Sequence, residues 1–395
     1  MSKVYNPFTE NITLEYFVGR EHQLLQFNDD LKGLIEGIPN HQYIAGVHGA
    51  GKTTFLAKLV DIANGENFLA VRPTLDDKAG SRAQISTIIK AVIIELDKKS
   101  RDLKLLLDWE KGVSSVYFRH PKNDELNSDN IRDDFNTLIS FIEEKKIPGI
   151  VICIDEGQRI EGRALSALKN SLQQIGKILL TISVRLPLNT KNLVDSGRIF
   201  LDNKANEEAE GDLGASRFYV KGIPIGAFDT DQEAVDCLTL RLRNNAIQFD
   251  NDTINSIVSI SGRIPRDIIR FSNSLYNKAQ QLGVDLVDVK LLNLTFKETF
   301  SNELSESVSL ITELSDTAKK AILGLINSGN NASIDEIFSK VHQHCPLEYQ
   351  EPLKVTLKND LDRIIKLSTI CTTRDEQYLI QNPVHSYALK LLTNK

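Results

Sequence analysis

Two short stretches carry residues whose types and spacing suit phosphate chemistry. In the first, "YIAGVHGAGKTTFLAKLV" from Tyr43 to Val60, an apolar run passes through three glycines and a lysine and then takes on helical apolar spacing. Gly46, Gly51, Lys52 and Thr53 satisfy GxxxxGK[ST]. Glycines let the backbone turn tightly so that successive N–H groups face an anion, the lysine reaches the terminal phosphates, and the threonine hydroxyl can ligate Mg²⁺. The helix that follows offers its positive N-terminal end to the same charge. Gly46, His48, Gly49, Ala50, Gly51, Lys52, Thr53 and Thr54 are therefore the candidate nucleotide-binding residues, with the His48 ring read as a solvent-facing loop filler.

The second stretch, "GIVICIDEGQRI", places an apolar strand directly before Asp155 and Glu156. A carboxylate at such a strand end can hold Mg²⁺ beside a phosphate loop, which makes Asp155 and Thr53 the candidate metal ligands. An adjacent acid can orient and polarise an attacking water, and Glu156 has that position. "KILLTISVRLP" is another buried strand with polar groups at its end, Ser183 and Arg185. In "SGRIPRDIIRFSNSL", Pro265 suits a first helical position and sets Arg266 in the first turn. The helix dipole gives an arginine there no advantage, so its placement is read as reaching toward a phosphate, while Arg263 and Arg270 read as surface charges.

The elements that must position these residues follow from the pattern of apolar runs. In the first half, "QYIAGV", "NFLAV", "GIVICID", "KILLTIS" and "RFYVKGI" alternate with helical stretches at Lys52 to Ala63, Ser81 to Leu96 and Gly162 to Gln174. Continuous apolar strands separated by helices indicate a parallel sheet covered on both faces, an α/β nucleotide-binding layout. Arg119 to Asn130 and Asp202 to Ser216 are polar and aperiodic and read as surface loops. From about Ala227 the alternation stops, and helices are expected at Asp231 to Arg243, Asp252 to Ser261, Pro265 to Gln281 and Leu286 to Phe300. Beyond Asn302 come three further helical patterns and then two β-rich runs around Arg374, Asp375 and Glu376, the order of a winged-helix module. The expected division is a nucleotide-binding core over 1–225, a helical lid over 226–301 and a winged helix over 302–395.

At this point the chain resembles the AAA+ ATPases and the related STAND branch, in particular the set that includes replication initiators, ExeA-like proteins and transposition regulators. The resemblance rests on "FVGREHQL" (Phe17 to Leu24), "GVHGAGKTT", "IDEGQRI", "TISVR", "SRF" (Ser216 to Phe218) and "GRIPR", and covers about residues 15–300. It implies a P-loop core with a lid and a winged helix, ATP and Mg²⁺ as cofactors, and ATP hydrolysis. It also implies that Glu156 is the catalytic base, Ser183 matches sensor 1, Arg266 matches sensor 2, and active sites lie between subunits of a homo-oligomer. Arg217 is the first candidate for the arginine supplied by the neighbouring subunit, with Arg198 and Arg185 as rivals.

Bulk composition limits the partners. The chain has 395 residues, 41% hydrophobic and 25% charged, like an average soluble globular protein. A net charge of −6 argues against a generic polyanion binder. From Ser301 to Lys395 there are 10 Lys and Arg residues against 12 Asp and Glu residues, and Lys354, Lys358 and Arg363 are interleaved with Asp360 and Asp362. Such a module suits protein contacts as well as duplex DNA. Cys153, Cys237, Cys345 and Cys371 stand far apart, with no spacing that suggests zinc or a disulfide framework. No run approaches the roughly 18 apolar residues of a membrane span, and the reading is a cytoplasmic protein without a membrane partner. Two functions compete: a nucleotide-gated oligomer on duplex DNA that recruits a transposase, nuclease or replication partner, and a STAND-like signalling or antiphage-defence switch acting on a protein effector without DNA. A scaffold that barely hydrolyses ATP is a weaker third, disfavoured by the intact Glu156.

Overall fold

The computed structural model describes residues 5–9, 14–100, 128–185, 220–342, 346–367, 370–374, 377–380 and 382–393. The chain divides into two compact units, one over 11–226 and one formed by 1–10 together with 227–395. The expected loop at 202–216 and the candidate arginines Arg198 and Arg217 lie outside the described residues.

The 11–226 unit is built on a five-stranded sheet of β1 (His41–Gly46), β2 (Leu69–Val71), β3 (Ile150–Ile154), β4 (Ile178–Arg185) and β5 (Val220–Pro224). The strand order is β2-β3-β4-β1-β5, and every pairing is parallel. Successive side chains of a strand point to opposite faces, so a strand buried on both sides is apolar throughout. In β3, Ile150, Ile152 and Ile154 pack into one core with α3 (Ser81–Ser100), α4 (Ser128–Glu144) and α5 (Gly162–Leu172), while Val151 and Cys153 pack into the other with α1 (Glu21–Ile35) and α2 (Lys52–Gly65). The expected loop at Arg119 to Asn130 is corrected at its end, because Ser128, Asp129 and Asn130 form the first turn of α4.

At the N-terminal edge of the sheet a polar knot is buried. Asp30 accepts from Gln42 Nε2 at 2.6 Å and Asn40 Nδ2 at 3.0 Å, and it pairs with Lys221 at 3.3 Å. Beside it, His41 Nδ1 accepts the Leu180 N–H at 3.1 Å, and burial pushes its pKa from 6.5 down to about 4. An imidazolium could not accept that bond, so geometry and desolvation both favour the neutral ring.

The second unit contains α6 (Asp231–Leu242), α7 (Asn251–Ser261), α8 (Pro265–Leu282) and α9 (Val289–Thr299), with a parallel pair β6 (Gln248–Phe249) and β7 (Leu286–Val287). The helix expected from Leu286 starts later, because Leu286 and Val287 enter that pair and the Asp288 side chain caps α9 by accepting from Leu291 N–H. The tail contains α10 (Ser301–Glu313), α11 (Asp316–Asn327), β8 (Asn331–Ser333), α12 (Ile334–Val341), α13 (Leu347–Leu367), β9 (Cys371–Arg374), β10 (Gln377–Ile380) and α14 (Pro383–Thr393). β10 pairs antiparallel with both β8 and β9. The tail thus holds four helices before the hairpin where three were expected, together with a third strand and a closing helix. α14 binds the helices before it: the Tyr387 hydroxyl donates to Asn293 Oδ1 at 2.8 Å, its ring meets Phe296 at 4.9 Å, and buried His385 contacts Ser307 Oγ at 3.2 Å. His385 is therefore a packed histidine.

Residues 5–9 were expected within the core but belong to this second unit. Phe8 is fully buried, stacked on Phe249 at 5.7 Å and edge-on to Tyr276 at 6.1 Å. The Pro7 carbonyl accepts from Arg241 at 2.9 Å, and Asn6 Nδ2 donates to Asn273 and Asn277.

Phe8→Ala should destabilise the second unit by about 3–5 kcal/mol, read as a lower urea midpoint. His41 titrates at about 4 folded against 6.5 ordinarily, so its contribution is complete above pH 6.5 and is lost as pH falls toward 4. Replacing it by His41→Leu should remove about 3 kcal/mol of acid sensitivity, seen as a flatter stability profile between pH 6.5 and 4 than that of the parent protein.

Candidate nucleotide-binding site

The loop between β1 and α2 is shaped by its glycines. Gly49 and Gly51 have φ of 84° and 88°, left-handed values that a side chain would strain, and Gly51 directly precedes the first residue of α2. Gly46 has a different reason, since a Cβ there would lie 2.0 Å from the Ile225 carbonyl oxygen of the adjoining chain segment. Ala50 is buried and His48 is exposed, in line with the expectation for that ring.

Lys52 folds back over this loop, donating to the Gly46 carbonyl at 2.9 Å and the Val47 carbonyl at 2.8 Å. Burial lowers its pKa, Asp155 and Glu156 oppose that change, and Arg185 adds to it. The lysine therefore shares one electrostatic neighbourhood with both acids and with the end of β4.

Strand order explains the meeting. β4 lies between β1 and β3, with Ser183 registered to Ile44 and Arg185 to Gly46, and Ile182 registered to Ile154. The C-terminal ends of three parallel strands thus carry the phosphate loop, Ser183 with Arg185, and Asp155 with Glu156. Open parallel sheets bind ligands at that edge.

Ser183 is fully buried and donates to Asp155 Oδ1 at 2.6 Å. The Glu156 N–H reaches both Asp155 Oδ1 and Ser183 Oγ at 3.0 Å. Among the described residues no hydrogen bond engages Asp155 Oδ2. Glu156 itself adopts φ 53° and ψ 59°, a left-handed conformation that costs a non-glycine residue about 1–2 kcal/mol. Its carboxylate pairs with Arg159 on the following turn of 3₁₀ helix, Gly157–Arg159, and a pair so exposed contributes only about 0–1 kcal/mol. Gly157 is required because a Cβ would meet Ile182 Cγ2 at 2.5 Å.

The residues present fit a magnesium nucleotide. Mg²⁺ is commonly held by one or two carboxylates together with substrate phosphates and water, so Asp155 with one unengaged oxygen and the Thr53 hydroxyl suffice. No group of three or more His, Cys, Asp or Glu that could hold a metal ion occurs among the described residues.

Sequence reasoning did not single out Arg20. Its guanidinium is buried and donates to the Gly226 carbonyl at 2.6 Å and the Ala50 carbonyl at 3.4 Å, which ties the phosphate loop to the end of the β5 segment. The conspicuous sign was an arginine inside an otherwise apolar approach, "FVGRE". Arg266 occupies the second position of α8, after Pro265, and belongs to the 227–395 unit.

No protein-family model matches the chain, and no curated protein matches it. Among solved structures, the ORC2 protein of Aeropyrum pernix, determined in ADPNP-ADP complexes, is similar with a TM-score of 0.50 at 12% identity, covering 100% of this chain and 99% of that one. A Walker-type ATPase of Pyrococcus abyssi gives 0.48 at 13% identity over 97% and 99%. The A. pernix ORC1 protein in complex with DNA gives 0.46 at 14% over 100% and 96%. No helix among the described residues is long and apolar enough to cross a membrane. Strand order, phosphate loop and the ORC2 likeness agree: the chain has the fold of the AAA+ P-loop ATPases.

Proposed function

We propose that the protein binds ATP with Mg²⁺, hydrolyses it, and uses the cycle as a switch on the assembly of a homo-oligomeric regulator of a DNA transaction. The observation that carries this reading is the convergence of Lys52, Asp155, Glu156 and Ser183 on one edge of the sheet. The ORC2 structure that shares the fold was solved with nucleotides, which supports the choice of ligand.

In this scheme Lys52 leaves its loop carbonyls to bind the β- and γ-phosphates, and Gly46 to Thr54 wrap the phosphate chain with backbone N–H groups. Thr53 and Asp155 would hold Mg²⁺, which would supply charge to offset that of the phosphates. Glu156 accepts the proton of the attacking water, and Ser183 keeps the Asp155 carboxylate in place. Arg185, registered beside Gly46 and felt by Lys52, is best suited to act within its own subunit. Arg217, with Arg198 as its rival, is the proposed donation to a neighbour's site, and Arg266 is the proposed sensor 2 arginine. The tail, with its order of two helices, strand, two helices, hairpin and closing helix, is proposed as a winged helix over 302–395, after a lid over 226–301.

A second reading, a switch acting on a protein effector without DNA, is favoured by one observation. Lys354, on the tail's most lysine-rich helix, is occupied by Asp335 at 2.6 Å and Glu351 at 3.5 Å and lies over the Phe338 ring. A DNA-gripping face keeps its cations available for phosphate.

Lys52→Ala should weaken ATP binding roughly 10- to 100-fold, the cost of a charged hydrogen bond, measured by calorimetry. Unchanged affinity would remove the nucleotide reading altogether. Glu156→Gln should retain ATP while hydrolysis falls about 100-fold or more. Light scattering of this trapped variant, with and without duplex DNA across a salt series, separates the two partner classes. Assembly that ignores DNA, with no salt-dependent retention, would leave the protein-effector reading standing.

A further inference from the structure

The Glu156 backbone is strained, and strain of this kind persists only where the surroundings fix it from more than one side. On one side, Asp155 and Ser183 hold the Glu156 N–H. The other side is held from α3, by a residue no part of the proposed chemistry uses.

Gln84 is almost wholly buried, at 1% exposure. Its Nε2 donates to the Arg159 carbonyl at 2.8 Å and to the Asp76 carbonyl at 3.0 Å, and its Oε1 accepts the Glu161 N–H at 2.9 Å. One side-chain amide therefore grips the chain on both sides of Ile160, directly after the turn that begins at Glu156, where the Glu156 carbonyl accepts from Arg159 N–H at 2.8 Å. Ser81, one turn earlier on α3, adds a hydrogen bond to the Glu161 carboxylate. Because Nε2 also reaches Asp76, the segment between β2 and α3 is joined to the same knot. Only a side chain with two donors and an acceptor in one plane makes these three bonds; Glu lacks the donors, and Met of similar length lacks both donors and carbonyl.

We infer that Gln84 is a positioning residue for Glu156, locking the turn that aims the carboxylate and linking the Arg72 to Gly80 segment to it. This rests on the ATPase reading. A purely structural role would lower stability or nucleotide affinity without regard to Glu156, whereas a positioning role acts through that one carboxylate.

The test compares Gln84→Met in the full chain, alone and combined with Glu156→Gln, by steady-state ATP hydrolysis and by binding of ATP. Gln84→Met should lower kcat roughly 10- to 100-fold, as small misplacements of a catalytic group do, with KM and ATP affinity within about twofold of the parent. In the Glu156→Gln background it should cause no further loss. A kcat within about twofold of the parent, or an equal additional loss in that background, overturns the inference. If Gln84→Met does not fold, Ser81→Ala takes its place, and a fall in kcat of several fold with affinity retained is then required. Should Glu156→Gln alone hydrolyse ATP at the parent rate, the failure is that of the ATPase reading, and it is visible before any Gln84 variant is made.

Discussion

The hydrogen bond from buried Ser183 to Asp155 ties two neighbouring strands together at the edge where chemistry would occur. Apolar packing places β3 beside β4 but tolerates small shifts; a 2.6 Å bond between polar side chains does not. Because the same serine oxygen receives the Glu156 N–H, it also sets where the next residue begins its unusual backbone. The partly buried Asp155 carboxylate is hydrogen-bonded on Oδ1 and, among the described residues, unengaged on Oδ2. Burial of both sheet faces fixes the strands whose partly exposed ends carry this carboxylate.

Electrostatics around Lys52 completes the arrangement. Its burial disfavours the ammonium, and two acids in the same neighbourhood favour it. Lys52 is bonded to its own loop carbonyls, neutral acceptors that anionic phosphate oxygens could replace with stronger, charge-assisted bonds. The glycines of the loop permit that shape without asking any side chain to adopt a left-handed backbone.

What was legible in the sequence was what is local. The phosphate loop, the acids after "GIVIC", the buried strands and the helix opening at Pro265 each announce themselves within a dozen residues, because hydrophobic period and glycine placement are short-range signals. The left-handed Glu156 is not local: it depends on Ser183, 27 residues away, and on contacts made by Gln84, which reads from sequence as one more polar residue on a helix. Arg20 was seen only as part of a motif, since the carbonyls it reaches lie 30 and 206 residues away. The three-residue strand β8 was missed because so short a run has no period, and its pairing with β10 is what defines it. Phe8 gave no sign of its partners, which come from α8 and β6 in the distant half of the chain.

That last placement has a practical consequence. Residues 5–9 lie in one unit, the next two hundred or so form the other, and the chain then returns to the first. No single scission of the polypeptide separates the two units into intact pieces. A fragment starting at residue 227 would lack the ring that fills the space against Phe249 and Tyr276, and would present those side chains to water. Isolating that half calls for fusing the N-terminal strap back onto it through an artificial linker, or for supplying the strap as a separate peptide.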